Sequence, residues 1–232
     1  MKDIFLVDAD DTVLDFHGAS SLALRFAFKR SDLPWKEEYA AAFKVCNDGL
    51  WESLERKELT RKQLIERRFP LFLSQLGFVQ ADGAAFNGYY LKFLSENPIF
   101  VDGAEAFLKK LGEMGRVYIV TNGTAWIQRS RFERARLWER IEDAFISDLV
   151  GADKPSRFYT DHVLSHIPDF RKDRAVWIGD SLSADIKAAN DAAIESIWFN
   201  RGNKPLTGKA KPDHIAMSFA EILDILQSLN GK

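Results

Sequence analysis

Short, continuously apolar runs recur along the sequence, and this pattern constrains the fold more than any other feature. Each run ends in polar or glycine-rich residues; the runs are residues 4–7, 117–120, 144–146, 175–178 and 196–199. Runs without polar alternation are typical of strands buried on both faces of a parallel sheet. From about residue 99 onward they alternate with helical patterns. The sequence therefore predicts βαβ crossovers and a doubly wound α/β fold with a parallel sheet.

The stretch between the first two runs has a different character. Residues 20–96 contain at least four helical patterns and no convincing strand, and Pro34, Pro70 and Pro98 punctuate them. Roughly 80 residues is long for a single crossover connection. We predict an all-helical domain at residues 16–96, inserted into a core made of residues 1–15 and 97–232. Such an insertion would lie above the carboxyl ends of the strands, where α/β sheets bind ligands.

Composition narrows the class of protein. The 232 residues include 32 basic and 34 acidic side chains, a formal net charge of -2, which does not favour a nucleic acid polymer as partner. The lone cysteine, Cys46, excludes an internal disulfide and a cysteine-based metal cluster. No apolar run approaches the roughly 18 residues of a membrane span, and acidic residues soon after residue 7 argue against a signal peptide. We predict a cytoplasmic protein with no membrane partner.

Carboxylates are concentrated where the first predicted strand ends. Asp8 and Asp10 follow it directly, with Thr12 two residues further along. Crowded carboxylates repel one another, and a divalent cation such as Mg²⁺ would relieve that repulsion. By itself an acidic turn is more often a solvated turn, because aspartate favours turns and helix caps.

Polar residues also follow later strands. Thr121 directly follows the second run, and its hydroxyl, with the N–H groups that follow, suits a phosphoryl oxygen. Lys154 precedes Pro155, which we expect at the first position of a helix. The fourth run ends at residue 178 and leads into Asp180 and Asp185. A helix cap would account for one of these two aspartates but not for both.

In this order, Asp-x-Asp-x-Thr, Thr, Lys and Gly-Asp-x-x-x-x-Asp resemble the four motifs of the haloacid dehalogenase-like (HAD) hydrolase superfamily. Most of its members are magnesium-dependent phosphatases. The resemblance implies a Rossmann-like core with a helical cap, Mg²⁺ as cofactor and a small phosphorylated metabolite as substrate. Asp11 stands where many members have glycine, a difference that touches no catalytic position.

The resemblance implies catalytic roles for two aspartates and metal binding by a third. Asp8 would be the nucleophile that forms an aspartyl-phosphate, and Asp10 would be the general acid and base. The Asp8 carboxylate, the Asp10 backbone carbonyl and the Asp180 carboxylate would hold the metal.

The resemblance also places Thr121 and Lys154 among the catalytic residues. Thr121, Asn122 and Lys154 would bind the phosphoryl group, Lys154 by supplying positive charge. Asp185 would orient Lys154 or a metal-bound water, and Thr12 would support the turn after the first strand.

A finer resemblance is to the branch that contains bacterial pyrimidine 5'-nucleotidases. It is carried by Asn47 and by residues 50–51, 59–60, 67–69 and 196–200. We therefore predict a 5'-nucleotidase that acts on nucleoside 5'-monophosphates. The alternatives are a phosphatase for a sugar phosphate or for a sialic acid 9-phosphate, as in the neighbouring N-acylneuraminate-9-phosphatase branch, a phosphomutase, and a non-catalytic phospho-receiver.

Three aromatic residues are candidates for stacking on a base. They are Phe16 beside the first motif, Trp51 in the predicted cap and Trp126 after Thr121. For each of them, packing in a hydrophobic core is the more common use of such a side chain.

Overall fold

A computed structural model describes residues 1–56 and 58–231, which form two compact units. Met1–Asp15 and Ile99–Lys232 make the first, called the core unit below, and Phe16–Pro98 makes the second, called the cap unit. The prediction drew the second boundary between residues 96 and 97. Within the described residues, no helix is both long enough and apolar enough to cross a membrane.

The cap unit is all-helical in its described part. Its helices are α1 (Phe16–Arg30), α2 (Glu38–Glu55), α3 (Arg61–Gln75) and α4 (Gly83–Glu96). Aromatic rings fill its interior; Phe43 stacks on Phe69 with ring centroids 5.1 Å apart. Pro34 lies between α1 and α2, as expected, but Pro70 does not separate two helices. It lies inside α3, where it contacts the start of α4.

The core unit is built on a parallel sheet, whose described residues form six strands in the order β3-β2-β1-β4-β5-β6. The strands are β1 (Ile4–Val7), β2 (Arg116–Thr121), β3 (Asp143–Ile146), β4 (Ala175–Gly179), β5 (Glu195–Phe199) and β6 (His214–Ala216). The predicted doubly wound α/β fold is confirmed. The sequence did not predict β6, a three-residue strand at the sheet edge.

Helices cover both faces of this sheet. They are α5 (Ala104–Met114), α6 (Ala125–Arg134), α7 (Ser147–Val150), α8 (Arg157–His166), α9 (Lys187–Ala192) and α10 (Phe219–Asn230). Along β1, Phe5 and Val7 pack into one buried cluster, which includes residues of α5 and α10. Ile4 and Leu6 pack into another, with α8 and α9. Burial on both faces explains why the strand is continuously apolar.

Candidate active site

The end of β1 places Asp8 at the carboxyl edge of the sheet, in the centre of the strand order. The Asp8 N–H donates to the carbonyl of Ile178 (2.9 Å), so the ladder to β4 continues through this residue. The chain then turns: Val13 and Leu14 both donate to the Ala9 carbonyl. Asp11 has φ 61° in this turn, the left-handed region that favours glycine and that aspartate tolerates better than most residues.

Lys154 is buried between two of the predicted carboxylates. Its Nζ donates to Asp8 Oδ1 (2.6 Å), to Asp185 Oδ1 (2.7 Å) and to the carbonyl of Val120 (2.8 Å). These three bonds use all three ammonium protons. Burial alone would lower the pKa of Lys154, but Asp185 and Asp8 outweigh it and raise the pKa above its usual value. The lysine is therefore a fixed positive charge.

The approach to Lys154 differs from the prediction. Pro155 is not the first residue of a helix, because α8 begins at Arg157. The Lys154-Pro155 peptide bond is cis. Asn122 holds this segment through a reciprocal pair: its Nδ2 donates to the Lys154 carbonyl (2.9 Å), and the Lys154 N–H donates to its Oδ1 (2.7 Å). The Asn122 side chain thus binds the backbone of Lys154. The backbone N–H of Asn122 is therefore the group that would make the predicted phosphate contact.

Three carboxylates meet around this lysine. Asp8, Asp180 and Asp185 each offer an oxygen, and these oxygens lie within 4.8 Å of one another. Burial raises the pKa of Asp8 against the opposing effect of Lys154, and the charges of Asp185 and Asp180 raise it further. Burial, with Asp11 and Asp185, raises the pKa of Asp180 to about 7. One lysine does not balance this crowding, so the oxygen donor set fits a hard divalent cation.

Asp185 is held against the end of β4. Besides Lys154, it accepts from Trp177 Nε1 (3.3 Å) and from the Ser181 N–H (3.2 Å). It lies on a single π-helical turn, Leu182–Ile186, which leads into α9. Of the two predicted partners, Lys154 or a metal-bound water, the structure places Lys154 within hydrogen-bond distance of Asp185. Thr12, expected only to support the turn, also donates its hydroxyl to Asp8 Oδ2 (3.2 Å).

The carboxylate of Asp10 points to partners that the sequence did not predict. Gln128 Nε2 donates to Asp10 Oδ2 (2.8 Å), and Arg131 Nη1 donates to Asp10 Oδ1 (2.5 Å). Gln128 Nε2 also donates to the hydroxyl of Thr121 (3.0 Å). Both partners are buried on α6, which follows Thr121 in the chain. The available sequence signal was two polar residues three positions apart, one helical turn, after the threonine.

The three candidate stacking residues have unrelated surroundings. Phe16 lines a cavity of about 210 Å³ within the cap unit, together with Phe43 and Asn47. Trp51 lies under the guanidinium of Arg61, 5.5 Å from ring centroid to carbon. Trp126 is 52% exposed in the first turn of α6, so it is not a core residue.

With its fold and polar cluster, the chain belongs to the haloacid dehalogenase-like hydrolase family, whose model matches residues 2–193. The predicted family is confirmed, and the protein is a hydrolase.

Individual relatives align over nearly the whole chain. It is 35% identical to YfnB, a HAD-hydrolase family protein of Bacillus subtilis, over 97% of this chain and 95% of that protein. It is 31% identical to the pyrimidine 5'-nucleotidase PynA of Streptococcus pneumoniae, over 95% and 93%. The crystal structure of YfnB bound to magnesium matches with a TM-score of 0.92, over 97% of this chain and 98% of that one.

Proposed function

We propose that this hydrolase is a magnesium-dependent phosphatase that acts on nucleoside 5'-monophosphates through an aspartyl-phosphate intermediate. The observation that carries the proposal is the buried cluster in which Lys154 joins Asp8 to Asp185, with the Asp180 carboxylate beside them. The similarity to PynA supports the nucleotide as substrate.

Asp8 would act as the nucleophile. Lys154 binds its Oδ1 and Thr12 binds its Oδ2, so two donors fix the orientation of the carboxylate. One oxygen would attack phosphorus, forming a P–O bond as the bond to the 5' oxygen of the leaving group breaks. Held by the carboxylates of Asp8 and Asp180 and the backbone carbonyl of Asp10, Mg²⁺ would neutralise the negative charge that keeps phosphate away from Asp8.

Asp10 would move the proton in both halves of the reaction. In the first it would donate a proton to the departing 5' oxygen, and in the second it would take one from the water that attacks the aspartyl-phosphate. Hydrolysis of the intermediate regenerates the Asp8 carboxylate and releases inorganic phosphate.

Thr121 would donate a hydrogen bond to a phosphoryl oxygen, and Lys154 would contribute to phosphate binding through its positive charge. The Thr121 hydroxyl accepts from Gln128 and so keeps its own proton to donate. Lys154 is held as a cation by Asp8 and Asp185, which suits it to stabilise negative charge on the transferring group.

The direct test compares the wild type with Asp8→Asn on a panel of nucleoside 5'-monophosphates, sugar phosphates and a sialic acid 9-phosphate, with Mg²⁺ or with EDTA. We expect kcat/KM to be highest for nucleotides, EDTA to abolish activity, and Asp8→Asn to lower kcat on the order of 1,000-fold or more. Asp191→Asn makes the same change at an exposed carboxylate that pairs with Lys187, and should behave as wild type.

Each part of the proposal has its own contrary result. Activity retained by Asp8→Asn would contradict the aspartyl-phosphate mechanism. A higher kcat/KM for a sugar phosphate or the sialic acid phosphate than for any nucleotide would contradict the substrate class. Formation of an isomeric sugar phosphate from a sugar phosphate, in place of phosphate release, would identify a phosphomutase.

A further inference from the structure

Two side chains of α6 fix both oxygens of the Asp10 carboxylate. Gln128 binds one oxygen and Arg131 binds the other, at 2.8 and 2.5 Å. The Arg131 side chain is 1% exposed, whereas the Asp10 side chain remains 28% exposed. One side of the carboxylate is therefore accessible to solvent, and the other side is hydrogen-bonded to Gln128 and Arg131. Each of its oxygens has two lone pairs, so one on each stays available to a proton.

The donors in this group are matched one to one. Gln128 Nε2 carries two protons, and it donates one to Asp10 and one to Thr121 (3.0 Å). Arg131 Nη1 also carries two, and it donates one to Asp10 and one to Gln128 Oε1 (2.8 Å). These four bonds fix the rotation of the carboxylate as well as its position. They also connect Asp10 to the threonine predicted to bind phosphate.

The backbone leaves space for this arrangement at one glycine. A Cβ atom at Gly123 would lie 2.6 Å from Gln128 Cγ and 2.8 Å from its Nε2, closer than such contacts occur. Any larger residue there would displace the glutamine. The Asn-Gly pair that follows Thr121 thus admits a side chain that reaches Asp10.

Arg131 is not arranged for stability alone. Its Nε and Nη2 are buried and, among the described residues, have no hydrogen-bond partner. Burying polar nitrogens without partners costs free energy of folding. The guanidinium is therefore buried at a cost in folding free energy, while its Nη1 donates to Asp10. This combination indicates a role in the reaction.

We infer that Gln128 and Arg131 are positioning residues that hold the Asp10 carboxylate in the orientation required for proton transfer to the leaving group. The inference rests on the proposed phosphatase function and deepens it. Neither residue needs to touch substrate, because both act through Asp10.

The inference predicts a dependence on the leaving group. Phenolate and the 5' alkoxide of a nucleotide need a proton as they depart, whereas p-nitrophenolate is stable as an anion near neutral pH. A misplaced Asp10 should therefore slow the first two and spare the third. kcat/KM is the right quantity, because it reports only the steps up to departure of the leaving group. kcat also includes hydrolysis of the aspartyl-phosphate, in which Asp10 would act as base.

The experiment measures kcat and KM of the wild type, Arg131→Met and Arg131→Lys on uridine 5'-monophosphate, phenyl phosphate and p-nitrophenyl phosphate. For Arg131→Met we expect kcat/KM to fall about 10- to 100-fold on the first two and to stay within about 3-fold on the third. With p-nitrophenyl phosphate, kcat should fall and a burst of p-nitrophenolate should appear. Arg131→Lys keeps the positive charge but not the planar set of guanidinium donors, so its kcat/KM values should lie between those of the wild type and Arg131→Met. Arg134→Met, on the exposed side of α6, is the matched control.

The outcomes separate the inference from the function it rests on. If the wild type hydrolyses none of the three esters, the proposed function and the inference are both wrong. If the wild type hydrolyses them and Arg131→Met loses kcat/KM equally on all three, or on none, the phosphatase proposal survives and the positioning role is overturned. Thermal melting identifies a folding defect. If Arg131→Met is misfolded, the test rests on Arg131→Lys. The inference is then overturned if kcat/KM of Arg131→Lys depends on the leaving group in the same way as that of the wild type.

Discussion

Gly179 and Asp185 approach more closely than any larger residue at position 179 would permit. A Cβ atom at Gly179 would lie 2.3 Å from Asp185 Cγ and 2.4 Å from its Oδ2. The glycine has no positive φ, so the close approach explains it better than backbone freedom does. Asp185 in turn accepts from Lys154 and from Trp177 of β4.

We expect Gly179→Ala to push Asp185 away from Lys154. The crowding should lower the free energy of unfolding by about 1–3 kcal/mol, and kcat should fall more than 10-fold because Lys154 loses one of its anchors. Chemical denaturation and steady-state kinetics measure the two effects. Gly112→Ala in α5, where a Cβ meets nothing within 4 Å, is the control. A Gly179→Ala protein with wild-type stability and kcat would show that Asp185 does not need this contact.

At this scale the sequence predicts residues with motifs better than the residues that hold them. Asp8, Lys154 and Asp185 are predicted because polar residues follow successive strands of one parallel sheet and because their order along the chain resembles the four HAD motifs. Gln128 and Arg131 carry no such signal. On a helix their polar side chains look like part of a solvated face, and only the packed structure shows that they point inward.

Helices α3 and α4 of the cap unit meet where a proline faces a glycine. A Cβ at Gly83, the first residue of α4, would lie 2.8 Å from the ring of Pro70 in α3. Gly88, five residues further along α4, has nothing within 4 Å of its Cβ position. The two glycines therefore serve one helix in different ways: Gly83 gives close packing, and Gly88 only a penalty in helix propensity.

The same substitution should change stability in opposite directions at these two positions. We expect Gly83→Ala to lower the free energy of unfolding by about 1–3 kcal/mol, because Pro70 is part of a packed helix and cannot easily move. Gly88→Ala should raise it by about 0.5–1 kcal/mol. Urea denaturation of both variants is the measurement. A stable Gly83→Ala protein would mean that α3 shifts to admit the methyl group.

The elements themselves follow from the sequence wherever burial is uniform. Strands β1 to β5 are predicted because both faces are covered, which leaves an unbroken apolar run. β6 lacks that signal: it has three residues at the sheet edge, and Ile215 at its centre is half exposed. Prolines mislead for a related reason. Pro70 continues a helix and Pro155 precedes one by two residues, and tertiary packing decides both.

For the molecule as a whole, a net charge of -2 hides a local imbalance. Asp8, Asp180 and Asp185 crowd one side of the sheet edge around Lys154. Lys204 approaches Asp180 only to 3.6 Å and is largely exposed, so it neutralises little. Without a cation, this cluster should cost the folded protein stability.

We expect magnesium to reverse the order in which the wild type and a variant that lacks one carboxylate melt. In EDTA, Asp180→Asn should melt about 2–4 °C above the wild type for each 1 kcal/mol of repulsion relieved. With saturating Mg²⁺ the wild type should gain more, because only the folded state binds the ion and the variant has lost a ligand. Asp191→Asn should show neither shift. The same melting order in EDTA and in Mg²⁺ would contradict a metal site at Asp180.

The two chain crossings between the units lie side by side in the core unit. The Asp15 N–H donates to the Ile99 carbonyl (2.8 Å), the Val101 N–H donates to the Val13 carbonyl (3.0 Å), and Leu14 bridges Phe100 in antiparallel fashion. The 83 residues from Phe16 to Pro98 are therefore inserted between two short segments of the core unit that are hydrogen-bonded to each other. A different insertion between Asp15 and Ile99 would therefore leave unchanged the order of the strands that position the reacting groups.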